Sequence, residues 1–463
     1  MIHEVVVVGG GVGGLTVAAV LAARGVDVCL LERGSQVGGV VAAVEAFGYT
    51  FDPGVGVYPC WEPGEIHQKV FAELPVTPPQ VQLDVPAYVV RLPDGVDVPV
   101  VGEDDQFFAA LLRAFPECGD QAIEFYRQCA KVTERMRSGL HSGAPQTVSQ
   151  SLANTSASFR HFLDAQLHLL TQSSTTTCDF ERAAVALSVP RGGTFSIKGG
   201  AATLGNRLAD AIKQSGGRIR LDTPVLRLAY DSADRARGVD LLTGETVEAT
   251  RAIISNLTVW DTFGKLVGLN RTPLEIRKVL GASKGWGAYV VYLGIEESTA
   301  ANLAANRILA LSSHKTDFEP ESQFMFSTAS SWDPRAPSGK RAATVLTFTD
   351  VEEWFTFHES AEELEEQDQS KLEVVWQRIH SAMPELGDGI EVIETSTPLD
   401  CYEVTRRKLG MISWPGPQDA VLVPPGITFL DNVFIVGDTA CSTPGLSGVT
   451  RSALALADKL TKP

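Results

Sequence analysis

The sequence predicts an α/β fold: a domain of parallel strands and helices, interrupted by an inserted mixed α+β domain. Three observations predict it. The chain opens on an apolar strand, a glycine-rich turn and a helix. A second apolar strand follows and ends on an acid, Glu32. A short strand, a glycine and a helix recur near the C-terminus, so the first unit is split by what lies between.

Val5 to Val8 form the first strand, and the turn reads Gly9-Gly10-Gly11-Val12-Gly13-Gly14. Gly9, Gly11 and Gly14 fit G-x-G-x-x-G. Gly9 allows the tight turn, Gly11 lets backbone approach a diphosphate, and Gly14 lets the helix pack close to the strand. Val12 and Gly13 open a helix that runs to about Arg24 and stops at Gly25. Its N-terminus offers free N–H groups and a positive dipole end to phosphates. Asp27 to Glu32 is the second strand. Glu32 is placed to accept hydrogen bonds from ribose hydroxyls, and Arg33 follows it in the candidate set. These parts form a Rossmann-type dinucleotide fingerprint. Gly38-Gly39-Val40 and the stretch 48–54 suggest backbone held close to a bulky ligand.

Composition narrows the reading. The chain has 463 residues, 44% hydrophobic and 21% charged, which suits a globular protein with a large core. A net charge of −17 argues against nucleic-acid binding and against charge-driven adsorption to anionic membranes. The seven cysteines are scattered, with no C-x-x-C and no Cys/His ligand spacing, so no metal site and no disulfide framework is expected. The cytoplasm is the expected compartment, with peripheral contact at a membrane surface left open. Val5 to Ala23 carries no charge but holds five glycines, and reads as strand–turn–helix, not as a membrane span or signal peptide.

Along the middle of the chain, Ser158 to Leu170 reads as a helix. Phe159, Phe162, Leu163, Leu169 and Leu170 share one face, with Gln166 in its middle. His161, Asp164 and His168 fall opposite, an outer face on which histidines are expected in solvent, with a catalytic role as the alternative. Gln166 is either bonded to nearby backbone or a polar group in a substrate tunnel. Ala202 to Gln214 is a helix, and Arg218 to Tyr230 an extended segment. Gly238 to Leu242 and Thr246 to Thr250 form a hairpin around Thr243-Gly244, and Ala252 to Ser255 a buried strand ending at Asn256. Ala288 to Ile295 and Ala342 to Thr349 are strands. Ala361 to Met383 is an acidic helix with Leu372, Val375, Ile379 and Met383 on its buried stripe. Val433 to Val436 is the last strand, followed by Gly437-Asp438 and a helix opened by Gly445 to Val449.

The order of these pieces resembles the flavin-binding fold shared by amine oxidases, protoporphyrinogen oxidase and the carotenoid desaturases. Within it, Phe51-Asp52-Pro53-Gly54, the run Arg191 to Leu208 with its Gly199-Gly200, and Asp333-Pro334-Arg335-Ala336-Pro337-Ser338-Gly339 are similar to segments of the phytoene desaturase superfamily, which includes carotenoid isomerases and retinol saturases. The resemblance implies FAD as cofactor. Asp438 would hold the ribitol, the helix after Gly448 and Val449 would face the flavin's pyrimidine edge, Val225 would clip the adenine, and Gly38 and Gly39 would lie beside the ribitol. Two departures stand out. The family's Gly-Gly-Arg is Gly38-Gly39-Val40 here, and Thr439 to Pro444 replaces a glycine-rich loop.

The FAD-binding domain is expected to comprise 1–75, 190–260 and 400–463, and the substrate domain 76–189 and 261–399. The implied activity is an FAD-dependent oxidoreductase that takes a hydride from a hydrophobic small molecule onto flavin N5, a desaturase or dehydrogenase. Oxygen or a quinone would accept the electrons, since no second fingerprint for a nicotinamide follows. No catalytic base is assigned. Gln166, Trp286, Tyr289 and Arg406 are the candidate substrate residues, with core aromatics the simpler reading for Trp286 and Tyr289 and a surface salt bridge the simpler reading for Arg406 and its neighbour Arg407; Cys441 is a candidate for covalent attachment with a plain small residue as the simpler reading. An amine or amino-acid oxidase is the second enzyme reading. A non-enzymatic escort of prenylated proteins, as in Rab escort and GDP-dissociation-inhibitor proteins, is the third.

Overall fold

The computed structural model describes residues 1–137, 146–282, 285–312, 319–356, 361–412, 428–441 and 445–461. Two large sheets organise them, packed against helices that include α1 (Val12–Ala23), α2 (Ala157–Thr171), α3 (Ala202–Gln214), α4 (Ala361–Ala382) and α5 (Gly445–Thr461).

The strand Ile2–Val8 lies inside the first sheet, parallel to Val28–Leu31 on one side and to Thr246–Ser255 on the other. Strands buried on both faces read as continuous apolar runs. Here Val5 and Val7 point to the α1 layer and Val6 and Val8 to the opposite layer. The ten-residue strand Thr246–Ser255 serves two partners on its far side. Its first residues pair antiparallel with Ala236–Leu241, and its last pair parallel with Val433–Ile435. The C-terminal segment thereby joins the sheet that the N-terminus begins. Helix α1 is buried from Val12 to Ala22, wedged among the sheet, α3 and α5. That burial explains a run with no charge that does not cross a membrane.

The segment Arg218 to Tyr230, read as one extended stretch, is two strands. Arg218–Arg220 pairs with Val28–Leu31, whereas Val225–Tyr230 lies on the opposite edge of the sheet. Asp222, at φ 49°, and Pro224 break it.

The second sheet runs, in spatial order, Ile390–Ser396, Trp286–Glu296, Lys340–Asp350, Gln323–Thr328, Arg307–Leu311, Tyr88–Arg91 and Asp97–Val100. Side chains alternate with period two. Ala288, Val290 and Tyr292 face the helical layer that contains α2. Tyr289, Val291 and Leu293 face the acidic helix α4, whose Val375, Ile379 and Met383 are buried as its stripe predicts. Residues 262–282, expected in the substrate domain, depart from that boundary. Phe263, Leu266, Val267 and Leu280 pack beneath the first sheet against Val6, Val8 and Ile253.

The segments read as family marks meet at the junction of the two sheets. Asp52 accepts from the Ala201 N–H at 2.8 Å, and Asp333 accepts from the Gly199 N–H at 2.9 Å. Arg335 lies between them, 3.1 Å from Asp52 and 2.9 Å from Asp333. Beside it Arg307 pairs with Asp84 at 2.6 Å, both nearly inaccessible. A cavity of about 30 Å³ remains between Tyr58, Ser196, Arg307 and Arg335.

Candidate cofactor site

The C-terminal ends of the parallel strands carry the glycine turn, Glu32, Asn256 and Gly437, which is where open α/β sheets bind ligands. Gly9 turns the chain at φ +100°, and its N–H donates to Leu31 O at 2.8 Å. A Cβ on Gly14 would lie 2.2 Å from Gly9 O, so only glycine lets α1 start this close to the strand. No side chain caps α1 at Gly11, so its first N–H groups stay available to an anion.

Glu32 is held as a bidentate acceptor. Its two carboxylate oxygens accept from the Gly10 N–H at 2.6 Å and the Gly34 N–H at 2.7 Å. The carboxylate is thereby locked at the strand end before any ribose arrives. The chain leading to Val225 passes directly over it, with the Thr223 N–H donating to Glu32 O at 2.8 Å. Val225 itself pairs with Leu241 at the sheet edge. Gly38, at φ +116°, donates its N–H to Gly10 O at 2.8 Å, and a Cβ on Gly39 would stand 3.3 Å from Gly11 Cα. The Gly38-Gly39-Val40 turn therefore lies flat on the fingerprint. α3 closes over it, with Gly205 against Gly38. Val40 is 42% exposed.

The tail completes the cradle. A Cβ on Gly13 would stand 3.2 Å from both Gly437 N and the Val449 side chain, so the tail turn and the start of α5, with buried Gly448, abut the start of α1. Gly437 holds φ +123°. Ser442, Thr443 and Pro444 of the tail loop lie outside the described residues.

Two residues join the cradle that the sequence does not assign to the cofactor. The Asn256 carboxamide lies across the turn, within 2.6 Å of where side chains on Gly11 and Gly13 would begin. Its position, directly after a predicted strand that neighbours the first, was the available signal. Arg407 donates to Asp438 Oδ2 at 2.5 Å. Burial opposes its charge, but the Asp438 carboxylate outweighs this and holds the guanidinium pKa above its ordinary value.

Among the other candidates, Arg33 and the buried polar residues of α2 depart from expectation, whereas Gln166, Tyr289 and Arg406 take their simpler structural reading. Arg33 turns away from the cradle and donates to Val404 O and Glu403 O, the C-terminal carbonyls of the helix Pro398–Thr405, where a cation is favoured. Gln166 is a satisfied core amide: it accepts from Tyr88 Oη at 2.9 Å and donates to Tyr126 Oη at 3.2 Å and Phe162 O at 3.0 Å. Tyr289 faces α4, stacks on Trp354 and donates to Asp368 Oδ1 at 2.7 Å. It lies on the opposite face of its strand from Trp286, because an odd residue offset reverses the side. Trp286 packs on the helical-layer face, 5.4 Å from the His168 ring, which also meets Phe348 edge-on at 4.3 Å. Arg406 is a surface residue paired with Glu403. His168, expected in solvent, is buried, as is Asp164. Helix α2 is covered on both sides, and Asp164 accepts from the Thr175 N–H at 2.6 Å. Burial pushes the His168 pKa down to about 3, so its ring is neutral near pH 7. It pushes the Cys441 thiol up to about 12, which keeps it protonated and a poor nucleophile toward flavin. No cluster of potential metal ligands occurs among the described residues.

The glycine cradle, the locked acid and the tail acid define a dinucleotide-binding protein of the flavoprotein type, and the donor set fits FAD: amides for the diphosphate, carboxylates for the ribose and ribitol. Comparison with known proteins agrees. The model of the flavin containing amine oxidoreductase family matches residues 12–396, and the chain belongs to that family. The prolycopene isomerase of Arabidopsis thaliana is 24% identical over 497 residues, covering 99% of this chain and 82% of that protein. A carotenoid 3,4-desaturase of Haloarcula japonica is 33% identical over 133 residues, 29% of this chain and 26% of that one. An oxidoreductase of Methanosarcina mazei shares the fold, with a TM-score of 0.69 at 17% identity over 99% of this chain and 100% of that one.

Proposed function

We propose that the protein is an FAD-dependent oxidoreductase that desaturates a hydrophobic small molecule, with a polyene as the favoured substrate class. The observation that carries the cofactor is the cradle, in which Glu32 is held by two backbone amides beside a turn that only glycine can make. FAD supplies the electron sink that accepts a hydride from a substrate C–H. The chain's own residues do the rest. The first turn of α1 binds the diphosphate, Glu32 and Asp438 orient the two sugars, and the apolar side chains facing the helical layer exclude water. The companion proton leaves to water or to an unassigned base. Relatives named for prolycopene and for a carotenoid support the substrate class. Oxygen or a quinone takes the electrons onward. No described helix is long and apolar enough to cross a membrane.

The test is anaerobic mixing of holoprotein with fractions of a lipid extract and, separately, with amines, following the visible flavin band. A hydrophobic fraction is expected to bleach it and to yield a product lighter by two hydrogens. Bleaching by polar amines alone would replace this reading with an amine oxidase. A product of unchanged mass with altered double-bond geometry would replace desaturation with isomerisation.

A further inference from the structure

The cofactor cradle is rich in negative charge. Glu32 sits at one end and Asp438 at the other, and the chain as a whole carries −17. The diphosphate of FAD adds about two negative charges, whereas a helix N-terminus offers only about half a positive charge. The neighbouring cations are mostly committed elsewhere. Arg33 caps the helix Pro398–Thr405, Arg406 pairs with Glu403 on the surface, and Lys265 pairs with Asp261 at 2.7 Å.

Arg407 differs. It is 7% exposed, and it bonds Asp438 through Nη2, while its buried Nε has no hydrogen-bond partner among the described residues. Asp438 directly follows Gly437, whose N–H borders Gly13 in the first turn of α1. The helix that precedes Arg407 packs against the turn Gly39–Val41, where position 40 is valine and brings no charge. A buried guanidinium with a spare donor thus stands one side chain away from the phosphate-binding turn.

We propose that Arg407 is the cationic ligand of the FAD diphosphate, oriented by Asp438 and reaching the cradle from the C-terminal segment. The proposal rests on the FAD reading above. A guanidinium is suited to this task, because its fork can bond a carboxylate and a phosphate oxygen at once.

The alternative is that Arg407 only neutralises Asp438. A four-member cycle separates the two: wild type, R407M, D438N and R407M/D438N, each as apoprotein titrated with FAD by quenching of flavin fluorescence. The expected result is a loss of FAD affinity of at least tenfold in R407M. That loss persists when R407M is added to D438N, and the dependence of affinity on salt becomes shallower without the arginine. R407K, which keeps the charge, is expected to recover part of the affinity and guards against misfolding of the methionine variant. If R407M/D438N binds FAD as tightly as D438N, or if R407M alone binds as wild type does, the proposal is overturned. If the wild-type chain binds no FAD, the cofactor reading fails instead.

Discussion

Replacing Gly14 with valine is expected to give a colourless protein that FAD does not reconstitute. The new Cβ would sit 2.2 Å from Gly9 O and 3.0 Å from the Asn256 Cβ. The first contact is with backbone at the turn itself, so no side chain can swing aside. Relief requires α1 to lift from the strand Ile2–Val8. That displacement removes the free N–H groups from the diphosphate and disturbs the Gly10 N–H that locks Glu32. Strain of this kind costs about 3 kcal/mol or more, which corresponds to roughly a hundredfold or greater loss of affinity. Gly25→Ala is the control. A Cβ there meets nothing within 4 Å, and its φ of +82° costs only about 1 kcal/mol of stability. The ratio of flavin to protein absorbance after purification distinguishes the two variants.

The second large effect is on stability. Arg307→Met is expected to destabilise the fold by about 3–5 kcal/mol, because it leaves Asp84 as an uncompensated charge in the interior. The pair is 2.6 Å apart, with side-chain exposures of 5% and 8%. Asp84 ends the strand Val81–Asp84, which pairs with Thr194–Ile197, and it also accepts from Ser196 Oγ at 2.8 Å and Asn306 Nδ2 at 3.2 Å. Arg307 begins a strand of the second sheet. The pair therefore ties the two halves of the molecule together. Urea denaturation should show the midpoint falling in R307M and partly recovering in R307M/D84N, where the buried charge is gone. Equal midpoints for R307M and wild type would show that Asp84 finds another partner or reaches water.

What the sequence reveals and what it hides follow from range. The glycine turn, Glu32, α1 and α3 are legible because local geometry sets them: Gly9 makes the turn and Gly14 meets Gly9 O within one strand–turn–helix unit. The roles of Phe51-Asp52-Pro53-Gly54, Gly199-Gly200 and Asp333 to Gly339 are hidden, because their partners lie far apart in the chain. The Ala201 to Asp52 bond alone spans 149 positions. Arg407 is visible only as a charged neighbour of Arg406, because its partner Asp438 lies 31 positions further on. Helix α2 misleads in another way. A helical wheel finds the most apolar face, but this helix has little wet face, so His168 and Asp164 are buried with Phe159 and Phe162. For Tyr289 the aromatic character was visible but the register was not. Only strand pairing decides which side of a sheet a residue faces.

If the N-terminal turn, Glu32 and the Gly437-Asp438 tail together form an FAD site, the apoprotein selects FAD over a shorter flavin. Titrating the apoprotein with FAD, and in parallel with FMN, tests it most directly. FMN lacks the adenosine that Glu32 is placed to hold. One FAD is expected to bind per chain, with FMN at least about a hundredfold weaker. Failure to bind FAD, or equal binding of FMN, would contradict it.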